Sequence, residues 1–402
     1  MSEWKEIFLG QCISVSSGEG LPESKMNPGQ YIVYGGNGVA GFHNEFLFEK
    51  EQLIIGRVGA HCGNIHITKA KSWITDNALI VSFIENDNDL LFWYYLLRNI
   101  NLRENAFQSA QPVITGGIIS KIKVKTPALS AQRKIARILS TADAVIEKTQ
   151  AAIAKYKAIK QGMLHDLFTR GIDIKTSKLR PRYEDAPELY KESKLGWIPN
   201  EWEVETLENI CSMKSGEGIT SIRIYEMGDY PVYGGNGLRG FTNTYTHDGE
   251  YTLIGRQGAL CGNITRVSGK FYASEHAVVV TVENEIAVDW LAQKLDTMNL
   301  NQYSEASAQP GLSVNKILRL SISKPSFQEQ EKIAERLLSI DQKLQTEETY
   351  LHKLQQFKAG LMGDLLSGMV KVSESQMEGI KVDTDKKITT PPNSMGLKIK
   401  LK

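Results

Sequence analysis

YGGNGVAGF at residues 34–42 is written again as YGGNGLRGF at 233–241, and GRVGAHCGN at 56–64 as GRQGALCGN at 255–263, both 199 residues further on. Outward from these stretches the copying continues at an offset of 198. Glu3-Trp4 returns as Glu201-Trp202, SGEG at 17–20 as SGEG at 215–218, and Ala110-Gln111-Pro112 as Ala308-Gln309-Pro310. One inserted and one later deleted residue account for the change of offset. QRKIA at 132–136 is answered by QEKIA at 330–334, and Lys160, Gly162, Asp166 and Leu167 by Lys358, Gly360, Asp364 and Leu365. A period of about 200 residues is far too long for a solenoid. It marks a domain duplicated within one chain, with approximate two-fold symmetry.

Local patterns give each copy its elements. Short apolar runs between glycines predict strands at 31–34, 53–55, 78–83, 251–254 and 277–282, and helices at 90–97 and 288–295. Each globular unit is therefore expected to be α/β with a curved, mainly antiparallel sheet. Two longer segments follow Pro127 and Pro325. In the first, Ile135, Ile138, Ala142, Val145, Thr149, Ala152, Tyr156, Ile159 and Met163 recur in alternating steps of three and four, a coiled-coil seam. The second runs less regularly through Ile333, Leu337, Ile340, Leu344, Leu351, Leu354 and Leu361, and opens with a capping box of Ser326 and Glu329. Each helix of about 40 residues spans roughly 60 Å, too long to hide its seam in one small unit. Either the helices pair with each other or partner helices cover them. The symmetric layout favours an antiparallel coiled coil separating two α/β units. The candidate partner-binding positions are Ile135, Ile138, Val145, Tyr156 and Ile159 on the first helix, and Ile333, Leu337, Leu344, Leu354 and Leu361 on the second. The expected division is 1–128 globular, 129–170 helix, 171–200 connector, 201–325 globular, 326–368 helix and 369–402 polar tail.

The 402 residues carry a formal net charge of +1, so any surface for nucleic acid must be local or shared with a partner. Cys12, Cys62, Cys211 and Cys261 form no CxxC pair and have no zinc spacing. They read as reduced thiols. No membrane-length apolar run and no signal-peptide layout is present, which places the protein in the cytoplasm.

Catalytic motifs are missing. There is no G-x-x-x-x-G-K-[ST] loop, no HExxH, no G-x-S-x-G and no Asn/Asp-Pro-Pro-Tyr/Phe segment. Gly-Gly-Asn-Gly at 35–38 and 234–237 leads into strand-like sequence rather than a helix, so it reads as a tight turn and not a phosphate loop. His61 has Leu260 at its repeat position and His276 has Asn77, which argues against a shared histidine site.

The ordered set is more specific than any one motif. An aromatic-Gly-Gly-Asn-Gly turn, a Gly-Arg-x-Gly-x-x-Cys-Gly-Asn segment, Ser-Ala-Gln-Pro and a Pro…Gln-x-Lys-Ile-Ala helix, all duplicated, resemble the specificity subunits of type I restriction-modification systems over about residues 2–368. The resemblance implies two target-recognition domains, each reading one half of a split site in double-stranded DNA. It implies helices that set the spacing and dock two methyltransferase subunits, with restriction subunits in the full complex. No cofactor would belong to this chain; S-adenosylmethionine, ATP and Mg2+ would sit on the partners.

DNA readers need cations for phosphates and polar groups for base edges. Arg57 and Arg256, between glycines at matched positions, either reach DNA or hold their loops by bonding carbonyls. Asn37, Asn236, Asn64 and Asn263 face DNA or, as is commoner for Asn beside Gly, cap turns. Gln111, Gln309, Ser109, Ser307, Lys121 and Arg319 complete the matched candidates, while Trp4 and Trp202 read as core. Arg239 and Gln257 replace Ala40 and Val58 and are candidates for distinguishing bases. Because the copies are so alike, the half-sites are expected to be related as partial inverted repeats. The competing readings are a stand-alone DNA-binding regulator, an enzyme with glycine loops and a scaffold. The apolar helical seam counts against the first, the lack of a shared acid, base or nucleophile against the second, and the elaborate units against the third.

Overall fold

The computed structural model of the chain describes residues 4–26, 28–85, 87–107, 111–258, 260–304 and 311–370. It divides into two units, 1–150 with 350–402, and 151–349. Each long helix gives one half of its length to each unit.

In the first unit, strand Lys5–Phe8 pairs antiparallel with Lys123–Thr126, so the start of the domain is tied to the segment that feeds the long helix. A four-stranded sheet runs Ile13–Ser17, Ala78–Phe83, Leu53–Gly56, Ile65–Ile67, and a three-stranded one Gly38–His43, Tyr31–Gly35, Ser72–Ile74. In the second unit the matching strands join in one six-stranded sheet: Cys211–Ser215, Ala277–Val282, His247–Gly255, Ile264–Ala273, Tyr230–Gly234, Gly237–Thr242. Pairing in these sheets is antiparallel except for Tyr31–Gly35 with Ser72–Ile74 and its counterpart Tyr230–Gly234 with Ile264–Ala273. The fold class is thus the expected one, but only in the second unit do these main strands join in one sheet. There a long hairpin runs unbroken through Gly249 and Gly269, which face each other in the ladder with positive φ. In the first unit the corresponding pairing is shorter, Leu53–Ile55 with Ile65–Ile67, and Lys71 beyond it takes φ 52.

A short helix closes each core. Leu90–Ile100 starts at Asp89, whose carboxylate accepts the Phe92 N–H at 2.9 Å, and ends on Asn101 in the left-handed region. Phe92, Trp93, Leu96 and Leu97 pack into the first core, and Trp290, Leu291 and Leu295 of helix Val288–Thr297 into the second. The repeated glutamine of Gln-x-Lys-Ile-Ala earns its place here. Gln132 is buried, accepts the Asp89 N–H at 3.0 Å and donates to the Pro127 carbonyl at 3.0 Å. Gln330 does the same with Ala287 and Pro325, at 2.9 and 3.0 Å. Each amide fastens the first turn of a long helix to the start of a short one.

The long helices are Leu129–Thr169 and Phe327–Leu366. In the first unit Leu361, Leu365 and Leu366 share a core with Ile135, Ala136 and Leu139. In the second, Leu167 and Phe168 share one with Ile333, Ala334 and Leu337. The start of each helix therefore meets the end of the other, an antiparallel pair. The buried stripe departs from the seam read in the sequence. Leu139 and Ile153 are buried, while Ile159 is 39% exposed. A strict heptad drifts on a straight helix, and each half-helix also packs on a globular unit, which widens and turns the stripe.

One further expectation is corrected. Ser326 does cap its helix, accepting the Glu329 N–H at 3.4 Å, but the Glu329 carboxylate does not reach back to complete a box. It is 2% exposed and binds Arg180 Nη1 and Nη2 at 2.5 and 3.1 Å, the Ile172 N–H at 2.7 Å and Trp202 Nε1 at 3.0 Å. A buried carboxylate keeps its charge only with such partners. The same cluster orders the connector, which forms two hairpins, Ile172–Asp173 with Lys178–Leu179 and Tyr190–Ser193 with Gly196–Pro199. Trp202 is core, and Trp4 packs against the first core. The polar tail beyond residue 370 lies outside the described residues.

Candidate nucleic-acid interface

In each unit the two glycine repeats meet backbone against backbone. A Cβ on Gly56 would lie 2.5 Å from the Gly36 carbonyl oxygen and 2.3 Å from that of His61. One on Gly255 would lie 2.3 Å from the Gly235 oxygen and 2.8 Å from that of Leu260. Only glycine permits this approach. The loops that follow close identically. The Gly56 N–H donates to the Asn64 carbonyl at 2.7 Å and the Gly63 N–H to that of Gly56 at 2.8 Å. Gly255 with Asn263 and Gly262 with Gly255 repeat the bonds at 2.8 Å.

An arginine leaves each junction. Its backbone is fixed on both sides, Arg57 by Asn77 and Ile114 and Arg256 by His276 and Leu312. Arg57 Nη1 donates to Ser17 Oγ at 3.1 Å, and Arg256 Nη1 to Ser215 Oγ at 3.0 Å. Both guanidiniums therefore lean on the serine of the SGEG repeat instead of bonding a carbonyl. Among the described residues neither has a carboxylate partner, so their remaining N–H donors stay available to an outside acceptor. Those serines were in plain view in the repeat, but nothing in the sequence said they would meet the arginines.

The other candidates divide. Asn37 and Asn236 stand exposed at the turn tips. Asn64 is exposed with its Nδ2 3.5 Å from His61 Nδ1, and Asn263 is exposed. Gln257 is exposed and meets His276 Nδ1 at 3.1 Å. Arg239 is exposed on strand Gly237–Thr242, its side chain against Gly234. Gln111 is exposed near Gly59, in the loop that Arg57 opens. Lys121 and Arg319 are exposed just after short helices, with no contact to the glycine junction among the described residues. Ser109, Ser307 and Gln309 lie outside the described residues.

On the long helices Ile135, Ile333, Leu337, Leu344 and Leu361 are buried in the protein's own packing and have no surface to offer a partner. Ile138, Val145, Tyr156 and Leu354 are half-buried, and Ile159 is exposed.

The cysteines are free, and burial raises all four thiols, Cys211 to about 12. That disfavours the thiolate form a nucleophile needs. Among the described residues no group of three or more His, Cys, Asp or Glu is placed to hold a metal. None of the described helices is long and apolar enough to cross a membrane.

What remains is a doubled, rigid turn junction presenting an unneutralised arginine. The family model for the type I restriction modification DNA specificity domain matches residues 1–156 and again 199–356. The chain belongs to that family. It carries two copies of the specificity domain, a recognition module and not a catalytic one. The type I restriction enzyme EcoprrI specificity subunit of Escherichia coli is 46% identical over 156 residues, 38% of this chain and 38% of that protein. The MjaVIII specificity subunit of Methanocaldococcus jannaschii is 22% identical over 367 residues, 82% of this chain and 81% of the relative. The crystal structure of the type I restriction-modification S subunit from M. genitalium has the same fold, with a TM-score of 0.68 at 21% identity, covering 91% of this chain and 96% of that one.

Proposed function

We propose that this chain reads a split target in double-stranded DNA for a type I restriction-modification complex, one half-site per specificity domain. The observation that carries the reading is the arginine held by a serine at a glycine-on-glycine junction, built twice. A cation fixed on rigid backbone, with no carboxylate partner among the described residues, suits a phosphate or the O6 and N7 of guanine. Asn37, Asn64 and Gln111, with Asn236 and Asn263, extend the surface around it. Arg239 and Gln257, which the first domain lacks, distinguish the half-site of the second domain. The half-sites are related as partial inverted repeats because the junctions are so alike.

The domains are taken as 1–128 and 201–325, the helices as 129–170 and 326–368. The helices set the distance between half-sites and dock two methyltransferase subunits, with restriction subunits joining the full complex. Exposed apolar side chains such as Ile159 and Phe357 supply part of that docking surface. S-adenosylmethionine, ATP and Mg2+ act on the partners, in the cytoplasm.

Replacing Arg57 or Arg256 by alanine in cells that express the partners tests this. Methylation at the split motif should fall for each single variant. Unchanged methylation with both replaced would refute the assignment.

A further inference from the structure

We propose that the first specificity domain grips the DNA backbone through a second cationic patch, Arg98 and Arg103 beside Arg57, that the second domain lacks. The proposal rests on the DNA-reading role given above. Arg103 Nη1 donates to the Ala60 carbonyl at 3.1 Å, inside the loop that Arg57 opens. The backbone of Arg103 is pressed on the same loop, since a Cβ on Gly63 would lie 2.7 Å from its nitrogen. Arg98 Nη1 donates to the Tyr94 hydroxyl at 2.6 Å, and its guanidinium lies 5.3 Å from the Tyr94 ring centre. Both arginines and His61 are exposed.

No carboxylate pairs with either arginine among the described residues. Glu104, next in sequence, is engaged by Asn101 Nδ2 at 2.6 Å. His66 lies under the Gly-Gly-Asn-Gly turn, 3.3 Å from where a Cβ on Gly38 would stand. Burial lowers its pKa first, and the Arg98 guanidinium lowers it further. Arg103 thus sits on the loop that leaves the glycine junction.

The second domain lacks it. Arg98, Arg103, His61 and His66 align with Asp296, Asn301, Leu260 and Thr265. In a chain of net charge +1, cations gathered without anions repel one another until an outside anion arrives. A polyanion passing the first junction meets that requirement, and the DNA backbone beside the first half-site is the one in reach.

The experiment measures affinity for target DNA against salt, using the full chain with its methyltransferase subunits. Each phosphate contact contributes a slope of about 0.9 in log affinity against log salt. The variant Arg98→Gln/Arg103→Gln should lower the slope by about 1–2, so that its affinity falls less between low and high salt than that of the parent. Arg103→Lys, which keeps the charge and loses the fork, should retain the parent slope, separating charge from any role in holding the loop. Asp296→Arg/Asn301→Arg should steepen it. A folded double variant with the parent slope would overturn the patch. So would a variant that sheds its methyltransferase subunits at unchanged slope, since the patch would then dock protein. If the parent complex shows no sequence-specific binding at all, the DNA-reading role itself fails.

Discussion

Lys160 holds Asp341 at 2.5 Å across the paired long helices of the second unit, and Lys358 holds Asp143 in the same way in the first. Each aspartate also takes a hydrogen bond from the short helix of its own domain, from the Tyr95 hydroxyl at 2.7 Å in one and Gln293 Nε2 at 3.0 Å in the other. One carboxylate thus ties a domain to both long helices, and the duplication has preserved the arrangement while exchanging a phenol for an amide. Asp341 receives Arg266 Nη2 as well, at 3.5 Å.

Asp143→Ala should lower the thermal midpoint of the first unit. Lys358 and the Tyr95 hydroxyl would lose their shared partner, and because the site is partly wet the loss should be about 1 kcal/mol. Exchanging the charges, Asp143→Lys with Lys358→Asp, should recover part of it. Calorimetry of the three proteins decides; equal midpoints for parent and single variant would show that the node carries no stability.

The buried glutamines should matter more. Gln132→Ala strands the Asp89 N–H and the Pro127 carbonyl, and Gln330→Ala strands their counterparts at Ala287 and Pro325. Each should cost about 1–3 kcal/mol. Denaturant unfolding reads the effect as a lower midpoint. Gln132→Glu should be worse than Gln132→Ala, because a carboxylate replaces the donor that faces Pro127.

At the glycine junction, Gly56→Ala and Gly255→Ala push a methyl group into a carbonyl oxygen 2.3 Å away. Overpacking of this kind costs about 1–3 kcal/mol. The backbone that aims Arg57 or Arg256 must shift, so methylation should drop more than stability does. Gly162→Ala, a helix position with nothing within 4 Å, is the control and should leave both intact.

Burial pushes the Lys294 ammonium down to about 8, with the Phe168 ring centre 5.2 Å away. An unfolded lysine titrates near 10.4. Between those values the unfolded chain binds more protons, so stability should rise with pH from about 8 to about 10. Below that window the burial penalty is fully present. Lys294→Met should stabilise the protein at neutral pH by about 1–3 kcal/mol and flatten the rise. A parent and variant that respond alike to pH would contradict it.

The sequence made the duplication, the two long helices and the short helix of each domain legible, because repeats and apolar periodicity act locally. It also pointed to Arg57 and Arg256, since arginine between paired glycines recurs. It did not reveal Ser17 as the partner of Arg57, a contact 40 residues away in sequence. Glu329 misled for the same reason. Its spacing from Ser326 fits a local cap, but buried Arg180 and Trp202 outbid the helix terminus for its carboxylate. The seam is only partly legible, because a heptad pattern reflects one neighbouring helix and not the domain that also covers Leu139. Arg103 left no trace in the repeat, since the second copy has Asn301 there.

The central claim is that this chain selects the DNA sequence a methyltransferase modifies. Single-molecule sequencing of adenine methylation, in the source cell with and without the gene, tests it directly. The account predicts that one split motif with a fixed spacer, its halves related as partial inverted repeats, loses methylation on deletion. An unchanged methylome in cells that express the partner subunits would contradict it.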